Sequence, residues 1–244
     1  MTIIGRKGKM MDERLDSHYL EETMLLKIYV PESVSSLDTY RLAIMQDGDD
    51  YYQLGRAATL SDRLHENGDM ENTILIGIHY QDKYDRQQKY HPNGSQQKAY
   101  MSFLVQEVVP FLDERLPSSQ VGHSRALIGD SLAGTLALMT ALKYPKTFGN
   151  VIMQSPYVDD TVLDTVTKAQ TLHPVSTYHT IGTDETTVHT TDGGQADFLT
   201  PNRQLHEHIK KKGLPSVYHE LEHGNHTWKY WQDDLKHAFA ALFN

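Results

Sequence analysis

A chain of 244 residues with 39% hydrophobic and 23% charged side chains has a soluble globular composition and the length for one sizeable core. A net charge of −9 argues against nucleic acid or anionic membrane as a partner, because phosphate binding needs clustered Lys and Arg. The absence of cysteine excludes disulfides and a thiol nucleophile. The one basic run, Lys210-Lys211-Lys212, reads as compensation of a helix C-terminus. No segment reaches the roughly 20 apolar residues of a membrane span, and residues 1–11 lack the apolar core of a signal peptide. A cytoplasmic address and a small-molecule partner are therefore expected, with self-association into a homo-oligomer left open.

In chain order, apolar β-branched runs at 24–30 and 42–46 come first, then a helical stretch at 55–67 and another strand at Thr73–Ile78. Residues 81–97 are polar and tyrosine-bearing and read as a long loop. The helix predicted over 98–116 places Phe103, Leu104, Glu107, Val108, Phe111 and Leu112 at 3-4 spacing, with a kink at Pro110. A strand at 125–129, a helix at 132–143, a strand at 151–154 and a helix at 161–173 follow. The chain then gives a strand at 177–182, an irregular Thr-, Asp- and Gly-rich stretch at 184–200, and a helix at 202–212. A strand at Ser216–Leu221 and a helix at 229–243 close it. Strands alternating with helices in this way predict one α/β domain spanning 1–244, a mostly parallel central sheet with helices on both faces. In such sheets ligands bind beyond the carboxyl ends of the strands.

The segment Leu127-Ile128-Gly129-Asp130-Ser131-Leu132-Ala133-Gly134 carries an apolar strand into a serine and leaves it as a helix. Small neighbours let the backbone turn sharply, which presents the Ser131 hydroxyl at a strained tip beside helical N–H groups. A serine hydroxyl needs a base, and the base needs an acid, so a carboxylate after a later strand and a histidine after that are expected. Asp184 and Glu185 follow the strand at 177–182, and the residues themselves leave the choice between them open. His226 follows the last strand, in Glu222-His223-Gly224-Asn225-His226-Thr227-Trp228, and its position favours it over His223 among 14 histidines. An oxyanion hole is expected from the Leu132 N–H and from the Asp49 N–H, which Gly48 can turn toward the site.

Together these pieces resemble the esterase branch of the α/β-hydrolases, which includes esterase D-like enzymes, feruloyl esterases, siderophore trilactone esterases and mycolyltransferases. The similarity runs from about Ser17 to Phe243. It includes Tyr29-Val30-Pro31, Gln46-Asp47-Gly48-Asp49, Asp85-Arg86 with Tyr90-His91-Pro92, the serine turn, Gln154-Ser155-Pro156, and His226-Thr227-Trp228 with Trp231. The resemblance implies an α/β-hydrolase fold, Ser131 as nucleophile and His226 as base. Counting from Gly182 in the family's Gly-Thr-x-acid pattern, it favours Glu185 over Asp184 as the acid. Ala133 stands where many relatives carry glycine.

The expected activity is carboxylic-ester hydrolysis through an acyl-enzyme, with no cofactor or metal and with short-acyl or polar esters as substrates. Arg86, Tyr157 and Trp228 are the expected substrate contacts, and the stretches 81–97 and 157–175 the expected pocket borders. Tyr51, Tyr52, Tyr84 and Tyr90 also lie near loops that could line it. Two alternatives stand beside this reading. One is hydrolysis of ferric siderophore trilactones, which would need Arg86 with Lys83 or Lys89 as a basic patch. The other is a non-catalytic or metal-binding protein using His206 and His208 or His223 and His226, although imidazoles two apart on a helix diverge.

Overall fold

The computed structural model describes residues 6–32, 38–190 and 193–244. Its strands are β1 (Lys9–Ser17), β2 (Glu22–Val30), β3 (Arg41–Gln46), β4 (Thr73–Ile78), β5 (Arg125–Asp130), β6 (Asn150–Gln154), β7 (Ser176–Gly182), β8 (Val188–His189), β9 (Gln195–Ala196) and β10 (Ser216–Leu221). Eight of them form one sheet in the order β1-β2-β4-β3-β5-β6-β7-β10, parallel from β4 to β10, with β2 antiparallel to β4 and β1 antiparallel to β2. β8 and β9 make a separate short hairpin inside the stretch read as irregular.

The helices are α1 (Gly48–Gln53), α2 (Ala57–Asn67), α3 (Lys83–Tyr90), α4 (Gln97–Phe103), α5 (Val109–Arg115), α6 (Ser131–Lys143), α7 (Asp160–Lys168), α8 (Leu199–Lys212) and α9 (Trp228–Phe243). They cover both faces of the sheet, and the period-2 alternation of the strands decides what each face meets. Leu42, Ile44, Ile74, Ile76 and Leu127 join α6 and its neighbours in one apolar layer. Ala43, Met45, Leu75, Ala126 and Ile128 turn the other way, onto residues of α2 and α9. α6 is buried along its whole length from Leu132 to Leu142, which is why it is apolar all round rather than on one stripe.

Three elements depart from expectation. β1 alternates charged with apolar residues at the sheet edge, where Asp12, Arg14 and Asp16 are exposed and blunt the unpaired strand. The stretch read as a loop contains α3, capped by Asp82, whose carboxylate accepts the Tyr84 and Asp85 N–H groups at 2.8 and 2.9 Å. At Pro110 the chain forms no simple kink: α4 continues through a π-helical turn, Leu104–Val108, into α5. Pro110 has no N–H to give the preceding turn, and the widened turn absorbs that loss.

Buried polar groups fasten the layers. Asp234 of α9 accepts from Gln154 Nε2 (2.9 Å), Tyr178 (2.7 Å) and Thr180 (3.2 Å), so the last helix is bonded to β6 and β7. Lys89 of α3 is fully buried, with Glu22 at 2.5 Å and Asp85 at 2.7 Å. His179 is 1% exposed and donates from Nε2 to Asn202 at 2.7 Å.

Burial lowers the His179 pKa from 6.5 to about 4. The folded state then refuses a proton that the unfolded chain accepts, so stability is lost as pH falls from 6.5 and the loss levels near pH 4. The contribution is about 3 kcal/mol at most. Urea midpoints measured between pH 7.5 and 4.5 should therefore fall less in His179→Gln than in the unsubstituted protein, and equal slopes would show that His179 is not the group responsible.

Candidate active site

β5 ends at Asp130 and α6 begins at the next residue, so the chain reverses direction within one peptide unit. Ser131 sits at the tip with φ of 50°, in the left-handed region that β-carbon-bearing residues avoid. The crossing is tight enough that a Cβ on Gly129 would lie 2.3 Å from the Ala133 carbonyl carbon. The two neighbouring parallel strands end alike, with Asp47 after β3 at φ 56° and Ser155 after β6 at φ 48°.

β7 ends at Gly182, where a Cβ would come within 2.3 Å of the Gly224 carbonyl oxygen. Strand end and histidine loop thus touch backbone to backbone, joined by Asp184 N–H to Gly224 O at 2.9 Å and Thr183 N–H to Leu221 O at 3.0 Å. The turn after Gly182 buries Glu185 and leaves Asp184 exposed, its carboxylate 3.9 Å from an exposed His223.

Glu185 Oε2 lies 2.6 Å from His226 Nδ1, while Oε1 accepts from Ser155 Oγ at 2.6 Å and from Gly182 N–H at 2.9 Å. Ser155 Oγ in turn accepts from the Trp231 indole at 3.0 Å. Every polar atom around the carboxylate is therefore spoken for, and the His226 proton belongs on Nδ1, which leaves Nε2 free to accept. Phe198 and Trp231 meet the imidazole edge to face, with ring centroids 4.6 and 4.9 Å away. Ser131 and His226 border the same cavity of about 370 Å³. No hydrogen bond joins them in this conformation, a contact that catalytic sites often complete only with substrate.

The cavity wall across from the imidazole is built by the α1 turn and by α3. Arg86 grips Asp47 with Nε at 2.9 Å and Nη2 at 2.6 Å, and Nη2 also reaches the Asp130 carbonyl at 3.5 Å. Burial works against the Arg86 charge, but Asp47 beside it outweighs burial and holds the guanidinium protonated. Burial, reinforced by Asp47, raises the pKa of Asp130 well above its ordinary value and shifts that of Asp50 upward as well.

The profile of the family described as "Putative esterase" matches residues 17–242. This chain belongs to the esterase family. Its sheet and surrounding helices are the α/β-hydrolase fold of those enzymes, and its activity is carboxylic-ester hydrolysis. Among sequence relatives, Bacillus subtilis (strain 168) YjcH is 45% identical over 237 residues, covering 97% of this chain and 98% of YjcH. YbbA of the same organism is 23% identical and covers 88% of this chain and 91% of its own. Among solved structures, a ferulic acid esterase superposes with a TM-score of 0.79 at 16% identity, covering 97% of this chain and 98% of that one. The enterobactin esterase of Shigella flexneri gives 0.81 at 17% identity, over 98% of this chain but 59% of that one. At such identities the superpositions speak for the fold.

Within this esterase the sequence expectations divide. Ser131, Leu132, His226, Arg86 and Tyr157 all border the cavity, and Glu185 stands directly behind His226. Trp228 does not border it. Its ring packs edge to face on Tyr51 at 4.8 Å, and Trp231, one turn further along α9, takes the cavity position. The Asp49 N–H also departs from expectation. Because α1 begins at Gly48, that N–H turns toward His79 Nδ1 at 3.4 Å, and it is Asp47 and Asp50 that line the cavity.

Of the two stretches expected as borders, 81–97 contributes Lys83, Arg86, Gln87 and His91, but 157–175 contributes only Tyr157. The remaining wall is the β8 hairpin and Phe198, from the stretch whose Thr- and Gly-rich composition hid its structure. Tyr51 and Tyr90 are buried, Tyr52 bonds backbone carbonyls, and Tyr84 is exposed. Among the described residues no group of three or more potential ligands converges on a metal position. His206 stacks on Tyr218 and His208 Nδ1 meets the Gln204 carbonyl. No helix in the described residues is long and apolar enough to cross a membrane.

Ser155→Ala strips a donor from Glu185 and an acceptor from the buried Trp231 indole. It should lower unfolding stability by about 1–3 kcal/mol, measured by urea denaturation. A loss below a few tenths would mean that the indole and carboxylate find other partners.

Proposed function

We propose that this esterase works through Ser131, His226 and Glu185 as a Ser-His-acid triad with an acyl-enzyme intermediate. The observation that carries the reading is the Glu185–His226 bond of 2.6 Å, which aims a basic Nε2 into the cavity bordered by the strained Ser131. In this scheme His226 takes the Ser131 proton as the oxygen attacks the ester carbonyl, then returns it to the leaving alcohol. Water repeats the sequence on the acyl-enzyme. Glu185 fixes the tautomer and balances the imidazolium, and its bonds to Ser155 and Gly182 keep it in place. The Leu132 N–H, at the start of α6, is the proposed first oxyanion donor. A second comes from the Asp47–Asp50 turn, and the Asp49 N–H serves only where its long contact with His79 opens.

The siderophore trilactone reading is left with Lys83 as the one exposed member of its basic patch. Lys89 is buried between Glu22 and Asp85, and Arg86 is held by Asp47, so those two offer little free charge to an anionic ferric complex. We therefore keep short or polar esters as the substrates. A cavity of about 370 Å³ suits them better than long acyl chains, which need an extended apolar trough. No metal or cofactor is required by this scheme, and the compartment we propose is the cytoplasm.

A fluorophosphonate probe followed by peptide mapping should label Ser131, and Ser131→Ala should abolish ester turnover with folding intact. Labelling elsewhere would overturn the nucleophile. Glu185→Gln should cost on the order of 10^4 in kcat, and Asp184→Asn far less; the reverse order would move the acid by one residue. With p-nitrophenyl esters, kcat/KM should fall steeply from butyrate to palmitate, and equal efficiency would rule out the compact pocket.

A further inference from the structure

The cavity holds more carboxylate than its cations can answer. Asp47, Asp50 and Asp130 border it on one side, with Lys83 and Arg86 as its cations and His91, His189 and His226 as its imidazoles. Arg86 is already spent on Asp47. Lys83 is exposed at the start of α3, its ammonium over the ring of an exposed Tyr84 at 5.0 Å, where water carries its charge. Asp130 is different in kind. It is 5% exposed, and its Oδ1 is buried with no hydrogen-bond partner, the donor beside the carboxyl being Asp130's own backbone N–H. A buried carboxyl oxygen without a donor costs stability and calls for an explanation at a functional cavity. Burial and the neighbouring Asp47 and Asp50 make the ion costly, and Arg86 offsets them only in part. Asp130 also directly precedes Ser131, so its Cα is about 3.8 Å from that of the proposed nucleophile.

We propose that the cavity selects esters bearing an ammonium group, which Asp130 binds, assisted by Asp50, within a few bonds of the scissile carbonyl. The proposal rests on the Ser131 reading and adds the substrate class. An ammonium supplies the donor that Asp130 Oδ1 lacks and adds its charge to that of Arg86, whose guanidinium is hydrogen-bonded to Asp47. The aromatic rings of Tyr157 and Trp231, which border the same cavity, suit an alkylated cation. The ester is thus an aminoacyl ester or the ester of an amino alcohol, and its anionic counterparts are repelled.

Three p-nitrophenyl esters of one skeleton isolate the charge: 3-(dimethylamino)propionate, 4-methylpentanoate and hemisuccinate. The cationic ester should exceed the neutral one in kcat/KM by about tenfold or more, with hemisuccinate lowest. The pair 2-(dimethylamino)ethyl butyrate and 3-methylbutyl butyrate puts the same question to the alcohol side. The cation-to-neutral ratio, taken within each protein, should collapse toward one in Asp130→Asn and shrink in Asp50→Asn. A ratio near one in the unsubstituted protein for both pairs, or a preference for hemisuccinate, overturns the proposal.

Should none of these esters turn over, protection of Ser131 from the fluorophosphonate decides. Stronger protection by 3-(dimethylamino)propanamide than by 4-methylpentanamide supports the proposal, and equal protection overturns it. Failure of the phosphonate to react at Ser131 at all would instead remove the serine mechanism on which it rests.

Discussion

The site depends on one backbone constraint, the reversal between β5 and α6. Gly129 and the Ala133–Gly134 peptide are pressed so closely that only a hydrogen fits on the strand side. That closeness holds Ser131 in the left-handed region, and the strain is tolerated because the turn is clamped by a fully buried strand before it and a fully buried helix after it. Ala133 is accommodated in this arrangement because its methyl group is not at the point of closest approach; its backbone is. The hydroxyl is therefore aimed by the packing of the central layer, with no need for a side-chain bond to hold it.

The histidine is aimed by different means. Its loop has little regular structure, and it is held by backbone bonds to the end of β7 and by α9, which follows it at once. Asp234 fixes α9 to β6 and β7, and Trp231 on the same helix reaches back to Ser155 and so to Glu185. Imidazole, acid and helix thus share one chain of hydrogen bonds. Low local polarity strengthens such a chain, and it makes each member sensitive to loss of the next.

Much of this was legible in the sequence, because the central strands are apolar runs of strand length and the serine turn has a mechanism written into its small residues. What was hidden has physical reasons. β1 is written in charges because it is an edge, and α3 lacks an apolar stripe because its inward side is made of Lys89 and Tyr90. Asp184 and Glu185 are adjacent carboxylates that differ only in the direction the turn after Gly182 gives them, and no local propensity encodes that direction. Trp228 and Trp231 share a helix face, and what separates them is Tyr51, which comes from nearly two hundred residues upstream and occupies one of the two. The unpartnered state of Asp130 Oδ1 is likewise a fact about its surroundings.

The buried Lys89 has a consequence for the far end of the chain. Its ammonium joins Glu22, the first residue of β2, to Asp85 inside α3, and α3 supplies the cavity wall with Lys83, Arg86 and Gln87. The antiparallel hairpin at the sheet margin is therefore a buttress for the pocket, although none of its residues borders it. Losing the Glu22 carboxylate would leave the buried Lys89 ammonium with Asp85 as its one ionic partner, on the helix that carries the pocket wall. A substitution at Glu22, a position outside the pocket lining, would thus be felt by the helix that supplies Lys83, Arg86 and Gln87.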